Sequence, residues 1–339
     1  MAISIDCGSY NLVACTRDEK NNFLYKREVN AFIEIPLTNR FVFNMMKNAK
    51  TPEFPDGIPL IERENVAYAL GEAAVNMAYT MSSIDLKRPM VSGCVNPKER
   101  NAFEILKVMI HSLIDAKKDN EVLYYCIPSN AINEETDVDY HNKILESIFK
   151  AYRSEEGFKV VPRPINEALA LVYAEGEKKA FTGLGISFGS GMVNACYAMY
   201  GSPVFQFSIV NSGDWIDKQA AKATGESITF INKEKNKIDL SKPPETLIQR
   251  AIHTQYRLML ENTVIGLKKG FENINKTVRT DTPIDIIIAG GTASPNGFKE
   301  LFEETIKQAN LPIAIDTIIK PKEPLYSVAK GILIAAENS

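Results

Sequence analysis

The feature that most constrains this sequence is an echo of itself. The run Ile5-Asp6-Cys7-Gly8-Ser9-Tyr10-Asn11-Leu12-Val13-Ala14-Cys15 lies in ungapped register with Ile186-Ser187-Phe188-Gly189-Ser190-Gly191-Met192-Val193-Asn194-Ala195-Cys196, and Ile, Gly, Ser, Ala and Cys coincide. Each copy sets apolar, β-favouring residues on both sides of a Gly-Ser pair, the pattern of a strand, a tight turn and a second strand. Each copy also opens one half of the chain. Two halves of like topology facing each other would place both turns on one cleft. At 339 residues the chain exceeds what one hydrophobic core normally serves, so two domains of ordinary size, or one deeply cleft unit, are expected.

Around the echo, strand and helix patterns alternate, which favours an α/β class with mostly parallel or mixed sheets. Ile3 to Ile5, Leu12 to Cys15 and Phe23 to Lys26 read as a meander with turns at Gly8-Ser9 and Asn21-Asn22. From about Asn30 to Ser83 a Pro-rich stretch, Thr51-Pro52-Glu53-Phe54-Pro55-Asp56-Gly57, precedes a helix-like Gly71 to Met77, and the whole reads as a small inserted subdomain. Ala102 to Ile114 has helical spacing, Glu121 to Ile127 is a strand ended by Pro128-Ser129, and a helix is expected from about Asn133 to Tyr152.

Several function classes are excluded by composition. The net charge of −3 offers no clustered Lys and Arg for a polyanion, so no nucleic acid is expected as a partner. The five cysteines lie far apart without a C-x-x-C pair, which reads as a reducing cytoplasm, and His111, His141 and His253 share no ligand spacing. The start, Met1-Ala2-Ile3-Ser4-Ile5, runs straight into a strand pattern with no export signal, and no apolar run reaches bilayer length. No intrinsic membrane anchor is expected at either end.

A Gly-Ser turn between strands suits phosphate, because glycine lets the backbone approach closely while N–H groups and a hydroxyl point at the oxygens. One such turn is ordinarily just a hairpin. Two matching turns can grip a nucleotide's phosphate chain from both sides. Gly185-Ile186-Ser187-Phe188-Gly189 also fits the G-x-S-x-G elbow of α/β-hydrolases, but the residues after it, Met192 to Tyr197, read as a strand where an elbow needs a helix. A dinucleotide fingerprint at Gly183-x-Gly185 fails because it precedes its strand.

Asp6-Cys7-Gly8-Ser9-Tyr10-Asn11 resembles the first phosphate loop of the superfamily of actin, heat-shock chaperones and sugar kinases, and Gly185 to Gly191 stands in the place of the second. Ile165 to Gly176 is similar to the connecting helix of MreB and the chaperones, with Glu167 nine residues before Gly176. Ser212-Gly213-Asp214-Trp215-Ile216-Asp217 resembles the Gly-Gly-x-x-Phe-Asp segment, and Ile284 to Ala289 with Gly290-Gly291-Thr292-Ala293 resembles the adenosine motif. The flanks Arg88-Pro89-Met90-Val91-Ser92-Gly93-Cys94-Val95, within a stretch that starts at Ile84, and Glu323-Pro324-Leu325-Tyr326-Ser327-Val328-Ala329-Lys330-Gly331 look like MreB and MamK segments and tip the resemblance toward a bacterial actin-like ATPase.

The resemblance implies an actin-like (ribonuclease H-like, duplicated) α/β fold of two related domains around a nucleotide cleft. Residues 1–165 plus 324–339 would form domain I with the insert at about 30–83, and 166–323 domain II with a subdomain at about 214–272. ATP or ADP and Mg2+ are the implied cofactors, and self-association into filaments the implied partnership. Asp6 would hold magnesium through water, and Glu167 would orient or deprotonate the attacking water. Gly8, Ser9, Tyr10, Asn11, Ser187, Gly189, Ser190 and Gly191 would surround the phosphates. Gly213, Asp214, Gly290, Gly291 and Thr292 would line the nucleotide, with Lys233 and Glu234 matching a Lys/Glu pair at the adenosine. From the residues alone, Glu167 is equally a dipole-favoured acid at a helix start, Ser212 an N-cap, Asp217 a first-turn acid and Lys233-Glu234-Lys235 a wet helix face.

One departure matters. The second loop of these ATPases usually begins with Asp, and here Ser187 stands there, while Met192 replaces a usual Thr. A neutral hydroxyl is a weaker partner for metal-bound water than a carboxylate, so slow hydrolysis, or binding without turnover, is implied. A non-polymerising nucleotide switch and a small-molecule kinase of the same superfamily stay open as alternatives.

Overall fold

The computed structural model describes residues 2–37, 40–52, 54–63, 65–80, 85–274 and 282–339. Met1, Glu53 of the Pro-rich stretch, residues 81–83 at the end of the expected insert and Ile84 at the head of the Arg-Pro segment lie outside the described residues. The first half contains β1 (Ile3–Cys7), β2 (Asn11–Arg17), β3 (Phe23–Val29), β4 (Phe32–Pro36), α1 (Arg40–Asn48), β5 (Leu60–Arg63), β6 (Val66–Leu70) and α2 (Gly71–Thr80). It continues with β7 (Met90–Val91), β8 (Cys94–Val95), α3 (Ala102–Leu113), β9 (Glu121–Ile127), α4 (Val138–Lys150) and β10 (Val160–Asn166). The second half contains α5 (Glu167–Glu175), β11 (Gly183–Phe188), β12 (Val193–Met199), β13 (Ser202–Ile209), α6 (Gly213–Thr224), α7 (Ile228–Lys235) and α8 (Leu247–Ile274). It ends with β14 (Ile284–Ala289), α9 (Phe298–Ala309), β15 (Ile315–Ile319) and α10 (Ser327–Glu337).

The echo in sequence is an echo in topology. One sheet runs β3-β2-β1-β9-β10 and the other β13-β12-β11-β14-β15. In each, three strands form an antiparallel meander and two more extend it in parallel. The two turns close with the same bond: Gly8 N donates to Asn11 O at 3.0 Å and Gly189 N donates to Met192 O at 2.9 Å. Both sheets are mixed, as the alternation of strand and helix patterns predicts, and the fold is that of a duplicated α/β protein.

Each sheet has its own apolar core. Ile284, Ile286, Ile287 and Ile288 make β14 apolar on both faces, as a strand covered on both sides must be. Helices α6, α8 and α9 cover the second sheet through Ile216, Leu260 and Phe302. The first sheet is covered partly by the far end of the chain: Val328 and Ile332 of α10 join its core, and Ser4 Oγ donates to Ala329 O at 2.7 Å. The small sheet β4-β6-β5 has a separate core of Ile33, Leu60, Ala67 and Ala69 with Phe43 of α1 and Ala74 of α2.

Helix α5 lies between the two sheets and explains why both halves need glycine beside it. Its Ala168 to Val172 are all buried. A Cβ on Gly185 of β11 would fall inside the van der Waals envelope of Ala168 O, and one on Gly331 of α10 inside that of Ala170 O. Backbone therefore meets backbone on two sides of the helix, contacts that any side chain would prevent. Its start is fixed by Asn166, whose Oδ1 accepts from Ala168 N at 3.1 Å and Leu169 N at 3.0 Å, an N-cap.

One boundary differs from its expected place. The helix expected from about Asn133 begins at Val138, where Asp137 Oδ1 accepts from Tyr140 N at 2.8 Å. Residues 130–133 are instead claimed by the other half: Ile132 N donates to Ser208 O, and Asn133 Oδ1 accepts from Val210 N. Among the described residues no helix is long and apolar enough to cross a membrane.

Candidate functional site

The two Gly-Ser turns open onto one cleft of about 850 Å³ between the sheets. Asp6, Gly8, Ser9, Tyr10 and Asn11 reach it from the first hairpin, Ser187, Gly189, Ser190 and Gly191 from the second. Glu167 enters from the start of α5, and Gly290, Gly291 and Thr292 from the turn after β14. The turns are pressed together, since a Cβ on Gly191 would collide with Ser9 Oγ and Gly93 N. Gly290 has φ +96° and its missing Cβ would strike Phe188 backbone, so that turn requires glycine. Thr292 Oγ1 donates to Gly189 O at 2.8 Å, tying it to the second loop. Ser190 Oγ is buried and finds no partner among the described residues, a polar atom in a loop whose chemistry suits an anion.

Four expected nucleotide residues lie off the cleft. Gly213 and Asp214 are not on its wall: Gly213 N donates to Gly189 O at 3.2 Å and Asp214 N to Ser190 O at 2.8 Å, so they buttress the second loop from behind. Ser212 does not cap α6 with its side chain, because its hydroxyl donates to Ser190 O. Lys233 and Glu234 are a correction of helix phase. In α7 and its C-cap the cleft face carries Asn232, Lys235 and Asn236, while Lys233 Nζ donates to Tyr79 Oη and Glu234 pairs with Lys237 at 2.9 Å. Spacing of 3.6 residues per turn puts 232, 235 and 236 on one face and turns 233 and 234 away. Asp217 is no solvated first-turn acid; it is buried in an ion pair with Lys235 at 2.8 Å, and Lys235 also donates to Gly213 O. The hydrolase elbow is excluded, since β12 follows the second loop with no helix at Ser187.

The structure gives roles to residues that the sequence left without one. Arg88 pairs with Asp214 at 2.7 Å, linking the two halves, and its guanidinium stacks 4.8 Å from the Tyr10 ring. Asn30 Nδ2 donates to Gly8 O at 3.0 Å and steadies the first turn. Cys126 Sγ donates to Asp6 Oδ1 at 3.1 Å. Asn194 Nδ2 donates to Glu167 Oε2 at 2.9 Å, and the Ser187 hydroxyl lies near enough to the same carboxyl to favour its charged form. No local pattern marks these contacts, because every one joins segments far apart in sequence.

Burial raises the pKa of Glu167, with the neighbouring Asp6 charge adding to the rise and the bonds from Ser187 and Asn194 opposing it. Burial likewise raises Asp6, against the Cys126 bond. Carboxyls raised in the folded state hold protons that the unfolded chain has released. Their stabilisation is complete below the unfolded value of about 4.3 and drains away as pH climbs through the folded values. Urea unfolding in EDTA should therefore show the protein losing stability from about pH 5 to about pH 8, relative to Glu167→Gln, whose profile should be flatter. A parent profile no steeper than that of the variant would refute the assignment.

Two adjacent carboxyls held partly protonated by burial and repulsion are a place where a hard cation relieves strain. Among the described residues no group of three or more His, Cys, Asp or Glu side chains is placed to hold a metal. The Asp6 carboxyl, on the wall of the cleft, suits a hard cation held through water.

A family model described as Volactin matches residues 1–336. No curated protein sequence matches the chain. Among solved structures it is similar to a MamK double helical filament, at 12% identity and TM-score 0.69, covering 99% of both chains. It is similar to MreB 5 of Spiroplasma citri bound to AMPPNP, at 16% identity and TM-score 0.66, covering 99% of this chain and 96% of that one. It also resembles the ethanolamine utilization protein EutJ from Carboxydothermus hydrogenoformans, at 16% identity and TM-score 0.52, covering 98% and 89%. At these identities the likeness is one of fold, and the fold is actin-like.

Proposed function

Because the chain belongs to the Volactin family and has an actin-like fold along its length, we propose that it binds ATP with magnesium in the cleft and assembles with copies of itself into nucleotide-dependent filaments. The observation that carries the reading is the pair of like-closed Gly-Ser turns facing one cleft, with the unpartnered Ser190 hydroxyl between them. Relatives in fold described as a filament and as an AMPPNP complex support both parts of it. Residues 1–165 with 324–339 would be domain I and 166–323 domain II, closing on the nucleotide in the cytoplasm.

In this reading Gly8, Ser9, Gly189, Ser190 and Gly191 offer N–H and O–H groups to the phosphates, and Gly290 to Thr292 line the nucleoside end with Asn232 and Asn236 of α7. Magnesium, when bound, neutralises phosphate charge. Asp6 would hold the ion through water, and the Cys126 thiol donates to that carboxylate. Glu167 orients the attacking water and accepts its proton as the water oxygen bonds to the γ-phosphorus and the bond to the β–γ bridging oxygen breaks. ADP leaves with that bridging oxygen. Ser187, a neutral hydroxyl on the cleft wall, contributes no third carboxylate, so turnover is slow.

Saturating ATP with magnesium should raise the thermal midpoint, because a ligand bound only by the native state stabilises it, by about 2.7 kcal/mol at a hundredfold excess over Kd. Sedimentation of the same samples should recover polymer with ATP and not without it. No midpoint shift refutes nucleotide binding; a shift without pelleting leaves the non-polymerising switch as the function.

A further inference from the structure

We propose that Asn194 is a positioning residue that holds Glu167 from the opposite sheet, an assignment that rests on the ATPase reading of the cleft. Asn194 lies on β12, directly across the ladder from Ser187 on β11, so both side chains leave the same face. Its Nδ2 donates to Glu167 Oε2 at 2.9 Å. Its Oδ1 accepts from the Ser208 hydroxyl and from Ser129 N at 3.3 Å. The amide cannot turn over without presenting oxygen to a carboxylate and N–H to the Ser129 N–H, so its orientation is fixed. Ser129 Oγ in turn accepts from Asn166 Nδ2 at 2.9 Å, and Asn166 caps α5 directly before Glu167. Glu167 is thus held through its backbone by one end of this chain of bonds and through its carboxyl by the other.

The duplicated hairpin argues that the amide is there for Glu167 and not for the fold. The position equivalent to Asn194 in the first copy is Val13, wholly buried, in the same register opposite Asp6. An apolar residue therefore satisfies this hairpin. Burying an amide instead, at 1% exposure, costs free energy unless its groups are paired. What differs between the two copies is the neighbour: the second faces the carboxyl at the start of α5.

The test is Asn194→Asp, which replaces only the donor. Oδ1 keeps its two partners while an acceptor now opposes Glu167. ATP-Mg affinity should stay within about twofold and kcat should fall by about tenfold or more, the scale of one lost charge-assisted bond. Urea unfolding without nucleotide or metal, at a pH above the folded value of about 8 where Glu167 is ionised, provides the second measurement. Asn194→Asp should lower the midpoint, and adding Glu167→Gln should restore it, because the new amide donates to the new carboxylate; turnover should stay lost in the double variant. Unchanged kcat in Asn194→Asp with ATP bound overturns the proposal. So does a midpoint loss of equal size whether Glu167 is present or replaced by glutamine, since Asn194 would then serve only Ser129 and Ser208. If the parent protein turns over no ATP, the hydrolysis step of the proposed function fails while binding and assembly stand, and the unfolding cycle alone decides whether Asn194 holds Glu167.

Discussion

Replacing Glu167 with glutamine is expected to cut ATP turnover by about 10²- to 10⁴-fold, the range for removing a general base, with ATP-Mg affinity nearly unchanged. The side chain sits at the first position of α5, capped by Asn166, and faces the cleft with the two Gly-Ser turns. Its raised pKa, caused first by burial, makes it a stronger base than a solvated glutamate. Glutamine keeps the shape and can still accept the Asn194 bond, so loss of the proton acceptor is isolated from loss of packing. Single-turnover hydrolysis and equilibrium nucleotide binding on the same preparation check it. A collapse of affinity with normal turnover of what remains bound would remove Glu167 from the chemistry.

Gly331→Ala is expected to be among the most destabilising single substitutions in the chain, at about 3 kcal/mol or more. The added Cβ has nowhere to go: its obstacle is the carbonyl of Ala170, backbone of a buried helix that cannot rotate aside. Either α10 withdraws from the first sheet, exposing Val328 and Ile332, or α5 is pushed toward Gly185 of β11, which has no room either. In the folded fraction α5 shifts and takes Glu167 with it. A displacement near 1 Å at a catalytic group costs about a hundredfold in rate, so turnover should fall even where the protein is fully native. Urea unfolding with kcat measured well below the transition reads both effects, and native stability within about 0.5 kcal/mol of the parent would refute the backbone contact.

The parts of the fold legible in the sequence are those written locally. A strand, a Gly-Ser turn and a strand occupy eleven residues, and finding that unit twice implied a duplicated topology, which the strand orders of the two sheets share. The limits are equally physical. Lys233 and Glu234 carry a suggestive pair of charges, but which face of α7 meets the cleft depends on how the helix docks, set by Ile231 in the second core and by Tyr79 on another segment. Asn194 and Arg88 have no local mark at all: their partners, Glu167 and Asp214, lie 27 and 126 residues away. The helix expected from Asn133 failed for the same reason, since its first turn is captured by β13.

The Arg88–Asp214 pair gives the molecule an optical handle. The chain has one tryptophan, Trp215, next in sequence to Asp214 and partly buried against the second core. Its indole emission therefore comes from a single place, the first turn of α6, where the ion pair between the halves and the backbone bond to Ser190 converge. Any rearrangement that separates Arg88 from Asp214 or moves the second loop alters the polarity around that one fluorophore. Stopped-flow fluorescence can thus follow events at the cleft in the unlabelled protein, without a dye or an introduced cysteine.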